Sequence, residues 1–85
     1  MRIRFFGSSN CKDCLEVFVI LSKFDVDFEY IDVFDDETQE LCDEQEVDEL
    51  PHLQFIENDK IIIEHIGPVS EKEFEEILLE YFPTY

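Results

Sequence analysis

The spacing of apolar residues changes repeatedly along the chain, and each change marks a boundary between elements. Arg2 to Phe6 is a short run of β-branched and aromatic residues closed by Gly7-Ser8-Ser9-Asn10, which predicts a strand followed by a loop. From Cys14 the apolar positions Cys14, Val17, Phe18, Leu21 and Phe24 recur at helical spacing, with Glu16, Ser22 and Lys23 elsewhere on the turn, so an amphipathic helix is expected. Residues 27 to 34 alternate, Phe28, Tyr30, Asp32 and Phe34 on one parity and Glu29, Ile31 and Val33 on the other, as a second strand would, and Asp35-Asp36 ends it. Between Glu37 and Glu46 only Leu41 and Cys42 are apolar, which predicts a solvated second helix with one narrow buried stripe.

Two further apolar runs, Pro51 to Ile56 and Lys60 to Ile66, flank Asn58-Asp59, a pair suited to a two-residue hairpin turn with positive φ. Gly67-Pro68 breaks the chain, and Ser70-Glu71-Lys72-Glu73 has the form of a capping box. The helix that follows carries Phe74, Ile77, Leu78, Tyr81 and Phe82 at i, i+3, i+4, i+7 and i+8. The order is βαβα then ββα, with no internal repeat and no linker. A right-handed crossover makes the first two strands parallel and the hairpin adds an antiparallel pair, so the expected fold is α/β, a mixed four-stranded sheet with three helices covering both faces.

Length and composition narrow this further. With 85 residues, 45% of them hydrophobic, the chain makes one domain, residues 1–85, around a single core. Its 23 acidic and 6 basic residues give a formal net charge of −17, which raises the question of disorder; nine Phe and the regular apolar spacing argue for a folded protein. Such a surface repels nucleic acid phosphates and anionic membranes and favours partners with basic docking patches, in a salt-dependent way. It also serves as a solubilising face, and mimicry of DNA or steering of one particular partner stays open beside that. The apolar stretch at the N-terminus is too short for a signal peptide or a membrane span, so a cytoplasmic location is expected, and a monomer.

In that setting three cysteines do not suggest a structural disulfide framework, and Cys11-Lys12-Asp13-Cys14 reads as redox or metal chemistry. Three intervals along a helix place two Cα atoms roughly 5 Å apart, within the window a disulfide requires. At a helix N-terminus the unpaired N–H groups and the dipole favour a thiolate, which would make Cys11 the attacking sulfur and Cys14, one turn further in, the resolving one. Two other readings stand beside this: a packed pair that never reacts, and half of a zinc site. Zinc wants four ligands, and Cys42, His52 and His65 are the only other candidates, with no second Cys-x-x-Cys or His-x-x-x-His pair. Cys42 falls on the stripe of the second helix, as a small core residue or a third thiol. The aromatic set, including Phe18, Phe28, Phe55, Phe74 and Phe82, reads as core.

Taken in order, Cys11-Lys12-Asp13-Cys14 after the first strand, Leu50-Pro51 before the third, the Asn58-Asp59 hairpin and Ile66-Gly67 before the capped last helix resemble the thioredoxin superfamily, most closely its short thioredoxins and glutaredoxins. The resemblance covers nearly the whole chain and implies a thioredoxin-like fold. It implies that Pro51 is cis and packs beside the cysteines, leaving the backbone of Leu50 as an edge on which a substrate strand pairs while Cys11 attacks its disulfide. By the same resemblance Lys12 and Gly67 border the substrate site. His52, next to that proline, either stabilises a thiolate or, by strand alternation, points away; His65 reads as a partly exposed strand residue.

The chain also departs from its relatives. Asn10 stands where thioredoxins usually carry a tryptophan, Lys12-Asp13 where they carry Gly-Pro, and Phe5 where they bury an acid. Ile66-Gly67-Pro68-Val69-Ser70 replaces the Gly-Gly-x-x-Asp-like segment with which typical glutaredoxins hold glutathione. The resemblance implies a thiol-disulfide oxidoreductase that reduces protein disulfides, needs no bound cofactor or metal, and is reset by a thioredoxin reductase or by glutathione. The alternative from another class is an acidic thioredoxin-like binding or adaptor module, and behind it a metal-binding protein.

Overall fold

The computed structural model describes residues 1–83; Thr84 and Tyr85, the end of the expected 1–85 domain, lie outside the described residues. Strand β1 (Arg2–Gly7) leads into helix α1 (Lys12–Lys23) and returns as β2 (Phe28–Asp32). A 3₁₀ turn (Asp36–Thr38) runs into α2 (Gln39–Glu44), then come β3 (His52–Glu57), β4 (Lys60–Ile66) and α3 (Glu71–Tyr81). The strands lie in the order β2-β1-β3-β4. β1 and β2 are parallel, with Phe5 opposite Tyr30, and β1–β3 and β3–β4 are antiparallel, with Phe6 opposite His52 and His52 opposite Ile66. The expected mixed sheet with three helices is therefore observed, and it is the thioredoxin-like fold.

Strand alternation divides the interior in two. Ile3, Phe5, Leu53 and Phe55 project to one face and pack against Cys14, Val17 and Leu21 of α1 and Phe74, Leu78 and Phe82 at α3. Phe6 projects to the other face, where Ile31 and Cys42 complete a smaller cluster. Aromatic rings tie the larger core together: Phe74 lies 5.1 Å from Phe24 and 5.9 Å from Phe55, and Phe82 stacks on Phe55 at 6.0 Å.

Local signals terminate the elements. Asn58 and Asp59 adopt φ of 53° and 64°, the two left-handed residues a type I′ hairpin needs. Ser70 accepts from the Glu73 N–H (3.1 Å) while the Glu73 carboxylate accepts from the Ser70 N–H (3.2 Å), a complete capping box. Ser70→Ala is expected to lower stability by about 1 kcal/mol, read from urea unfolding midpoints, with the fold retained.

Three expectations need correction. The second strand stops at Asp32, not at Phe34, because the Asp32 carboxylate accepts from the Phe34 N–H (2.9 Å) and turns the chain. The second helix does not run from Glu37 to Glu46. Its first turn is 3₁₀, capped by Asp35 on the Glu37 N–H (3.0 Å), and it closes in a Schellman motif, Val47 N–H to Cys42 C=O (3.1 Å) and Glu46 N–H to Asp43 C=O (3.2 Å), with Glu46 left-handed at φ 53°. Phe18 is not core. It is 46% exposed, with its ring edge-on to Phe28 (5.7 Å) and Tyr30 (6.5 Å).

The hairpin holds an irregularity that alternation does not foresee. Phe55 pairs with Ile63 and Ile56 with Ile61, so Ile62 is an extra residue on β4 and the ladder bulges there.

Candidate active site

All the expected site residues sit at one end of the sheet. β1 ends at Gly7 and the following loop delivers Cys11; β3 starts at His52, directly after Pro51; and β4 ends at Ile66, directly before Gly67. Cys11 is the N-cap of α1, with extended backbone (φ −98°, ψ 111°). Its Sγ accepts from the Cys14 N–H at 3.1 Å, so one of the otherwise unpaired amides of the first turn is aimed at this sulfur. The same donor, together with the helix dipole, stabilises negative charge on Cys11 once the bond to Cys14 is opened.

Cys11 and Cys14 are joined as a disulfide with Cα atoms 5.2 Å apart. Their environments differ. Cys11 is half-buried, whereas Cys14 is 2% exposed and packed in the larger core. Gly7 makes room for it: a Cβ at this position would stand 3.2 Å from Cys14 Sγ, 3.1 Å from Phe5 Cε1 and 3.2 Å from Tyr30 Cε1. Phe5 meets Tyr30 edge-on at 5.2 Å, so the floor beneath Cys14 is aromatic. Burial, and then the Asp32 carboxylate, raise the Tyr30 phenol above its ordinary pKa.

The Leu50–Pro51 peptide is cis. Pro51 is buried and its carbonyl accepts from the Gly67 N–H at 2.8 Å, which ties the end of β4 to the proline segment. Gly67 adopts φ 97°, a region L side chains rarely enter. The N–H and C=O of Leu50 join no backbone hydrogen bond among the described residues, and its side chain packs against both cores. Lys12 is exposed at the first turn of α1.

His52 lies apart from the sulfurs. Its place opposite Phe6 sends it to the α2 face, away from Cys14, where it is almost fully buried, packs on Phe6 (5.5 Å) and bonds Glu64 through Nε2. It belongs to a polar row across the sheet that sequence reasoning missed. Arg4 donates to Gln54 (2.9 Å), and Gln54 donates to Gln45 (2.9 Å) and Glu64 (3.3 Å). Polar residues at mid-strand, Arg4, Gln54 and Glu64, were its signal. Cys42 is buried on that face as well, and His65 donates to the Pro68 carbonyl (3.1 Å), so neither joins the cysteine pair. Among the described residues no three His, Cys, Asp or Glu side chains converge on a common point that could hold a metal ion. No helix among them is long and apolar enough to cross a membrane.

A joined cysteine pair at a helix start and a cis-proline directly before β3, on a four-stranded sheet of this order, define the class of thioredoxin-like domains. Solved structures share this fold. Thioredoxin 1 of Thermosipho africanus TCF52B superimposes with a TM-score of 0.77 at 23% identity, covering 98% of this chain and 96% of its own. Thioredoxin f2 of Chlamydomonas reinhardtii gives 0.83 at 16% identity, covering 99% and 81%. A mutant thioredoxin from Halobacterium salinarum NRC-1 gives 0.81 at 21% identity, covering 94% and 73%. No curated protein sequence matches the chain. Residues 3–54, more than half of the chain, match the Glutaredoxin family, and the chain belongs to that family. Membership and the joined cysteine pair together support a thiol-disulfide redox role.

Proposed function

We propose that the protein reduces disulfides of protein substrates. Cys11 thiolate attacks one sulfur of a substrate disulfide, breaking that bond and releasing one substrate thiolate. The Cys14 thiolate then attacks Cys11 Sγ, releases the second substrate thiolate and leaves the Cys11–Cys14 disulfide, so two electrons pass to the substrate. The observation that carries this reading is the asymmetry of the pair: a half-buried, amide-capped sulfur at the helix start, bonded to a partner sulfur that solvent hardly reaches. Leu50 supports it, because its unpaired N–H and C=O can take up a substrate strand at the same end of the sheet.

The setting in which this chemistry runs is cytoplasmic, the working unit is a monomer, and the dithiol is reset by a thioredoxin reductase or by glutathione. The segment Ile66-Gly67-Pro68 supports the reductase, since it lacks a second glycine and an acid to hold a glutathione backbone. The test is reduction of insulin disulfides with dithiothreitol as donor, followed by replacement of that donor with NADPH and thioredoxin reductase or with NADPH, glutathione reductase and glutathione. Insulin reduction well above the dithiothreitol background is expected, with turnover sustained by the first coupled system. A rate no higher than background in all three assays overturns the proposal.

A further inference from the structure

The side of α1 that faces away from the cis-proline is unusually apolar. Leu15 is 60% exposed, Phe18 is exposed beside it, and Val19 and Tyr30 are exposed as well. Phe5, Ser8, Ser9, Cys14, Leu15, Phe18 and Tyr30 enclose a cleft of about 260 Å³ whose surface is almost wholly apolar. That is below the roughly 300–1,000 Å³ of sites for drug-sized ligands, and suits one side chain. Its walls are braced: Phe18 is held edge-on by Phe28 and Tyr30, and Tyr30 by Phe5. A concentrated apolar surface on a chain of net charge −17 marks an interaction site.

We infer that this cleft is a specificity pocket for the disulfide-bearing polypeptide, taking an aromatic or branched aliphatic side chain that is flanked by Lys or Arg. The inference rests on the redox reading of the cysteine pair. Two observations select this occupant. First, Cys14, bonded to Cys11, is itself part of the cleft wall, and the Ser8-Ser9 segment that leads to Cys11 forms its rim. A peptide advances at most about 3.3–3.6 Å per residue, so a residue one to three positions from the attacked cysteine reaches the cleft while its sulfur is at Cys11. Second, the surroundings are acidic: Asp32 shares the Tyr30 face of β2, Glu16 lies one turn before the exposed Val19 on α1, and the chain as a whole carries a net charge of −17, with Lys12 the basic residue of this end of the helix. An apolar anchor carried on acidic flanks would be repelled, and one on basic flanks attracted.

The experiment starts from the protein in its dithiol form and follows one turnover on peptides whose single cysteine is disulfide-bonded to thionitrobenzoate: Cys11 displaces the coloured thionitrobenzoate, and Cys14 then displaces the peptide thiolate and leaves the Cys11–Cys14 disulfide. The sequences are Lys-Cys-Phe-Lys, Lys-Cys-Ser-Lys and Glu-Cys-Phe-Glu. The Phe peptide on the basic frame is expected to exceed each of the others about tenfold in the second-order rate constant for thionitrobenzoate release, mostly through a lower half-saturating concentration. The Phe-to-Ser ratio is expected to fall towards one in Leu15→Gln and in Phe18→Asn. It stays at its parent value in Leu79→Gln, which alters an equally exposed leucine (63%) on α3. Equal rates on the Phe and Ser peptides in the parent, or a ratio unmoved by both cleft variants, overturn the inference. A separate reading needs no turnover. Adding Lys-Ser-Phe-Lys to the oxidised protein is expected to shift the amide resonances of Leu15, Phe18 and Tyr30, and their silence overturns the cleft as a binding site. If no peptide is turned over but those resonances move, the redox reading fails and the pocket stands.

Discussion

Cys11→Ser is expected to abolish insulin reduction, a loss of at least about a hundredfold to the background of the reductant, whereas Cys14→Ser accumulates a covalent adduct with substrate. A serine hydroxyl is not deprotonated at neutral pH and does not attack sulfur, so the first variant has no way into the reaction. The second keeps the capped, half-buried sulfur of Cys11 and loses only the group that expels the product. Its adduct is read as a mass increase equal to the bound substrate chain, reversed by dithiothreitol. The buried position of Cys14 sets the direction of this asymmetry, because a bulky disulfide approaches Cys11 far more readily than its partner. Adduct formation by Cys11→Ser in place of Cys14→Ser would exchange the two roles.

Phe74→Ala is expected to cost about 3–5 kcal/mol, the largest stability loss of any single truncation considered. Phe74 is fully buried and is the ring through which α3 meets both the end of α1, at Phe24, and the central strand β3, at Phe55. Removing it opens a cavity between three elements that are each held in place by other contacts, so the void closes poorly. An 85-residue domain has about 4–13 kcal/mol of stability in total. The variant should therefore unfold at least about 12 °C below the parent in a thermal scan, given about 4–8 °C per kcal/mol at this size. A loss under about 1 kcal/mol would show that Phe74 is not the joint between α3 and the sheet.

Much of this architecture is written in local signals. The two left-handed residues at Asn58-Asp59, the Ser70–Glu73 box and the 3.6-residue stripe through Phe74 and Leu78 act within a few positions of themselves, so reading them needs no knowledge of the rest of the fold. The Cys11–Cys14 spacing is legible for the same reason. Most of what escaped depends on neighbours distant in sequence. Phe18 has helical spacing with Val17 and Leu21, but α1 carries Leu15, Val17, Phe18, Val19, Ile20 and Leu21 in one stretch, more apolar surface than one sheet face covers; the edge strand β2 decides which of them stay outside. The excess itself was the available clue to the cleft. His52 was undecided because its direction follows from pairing with Phe6, and the short α2 was overextended because Glu46, not a glycine, takes the left-handed closing position.

The extra residue at Ile62 bears on how copies of this chain treat one another. β4 forms an outer margin of the sheet, and a straight margin there, next to Ile61 and Ile62, would be an invitation to stack strand on strand into fibres. The bulge breaks the even hydrogen-bonding rhythm that such growth copies, and like charge on each arriving molecule adds repulsion. The apolar outer strand is thus interrupted by a bulge one residue long.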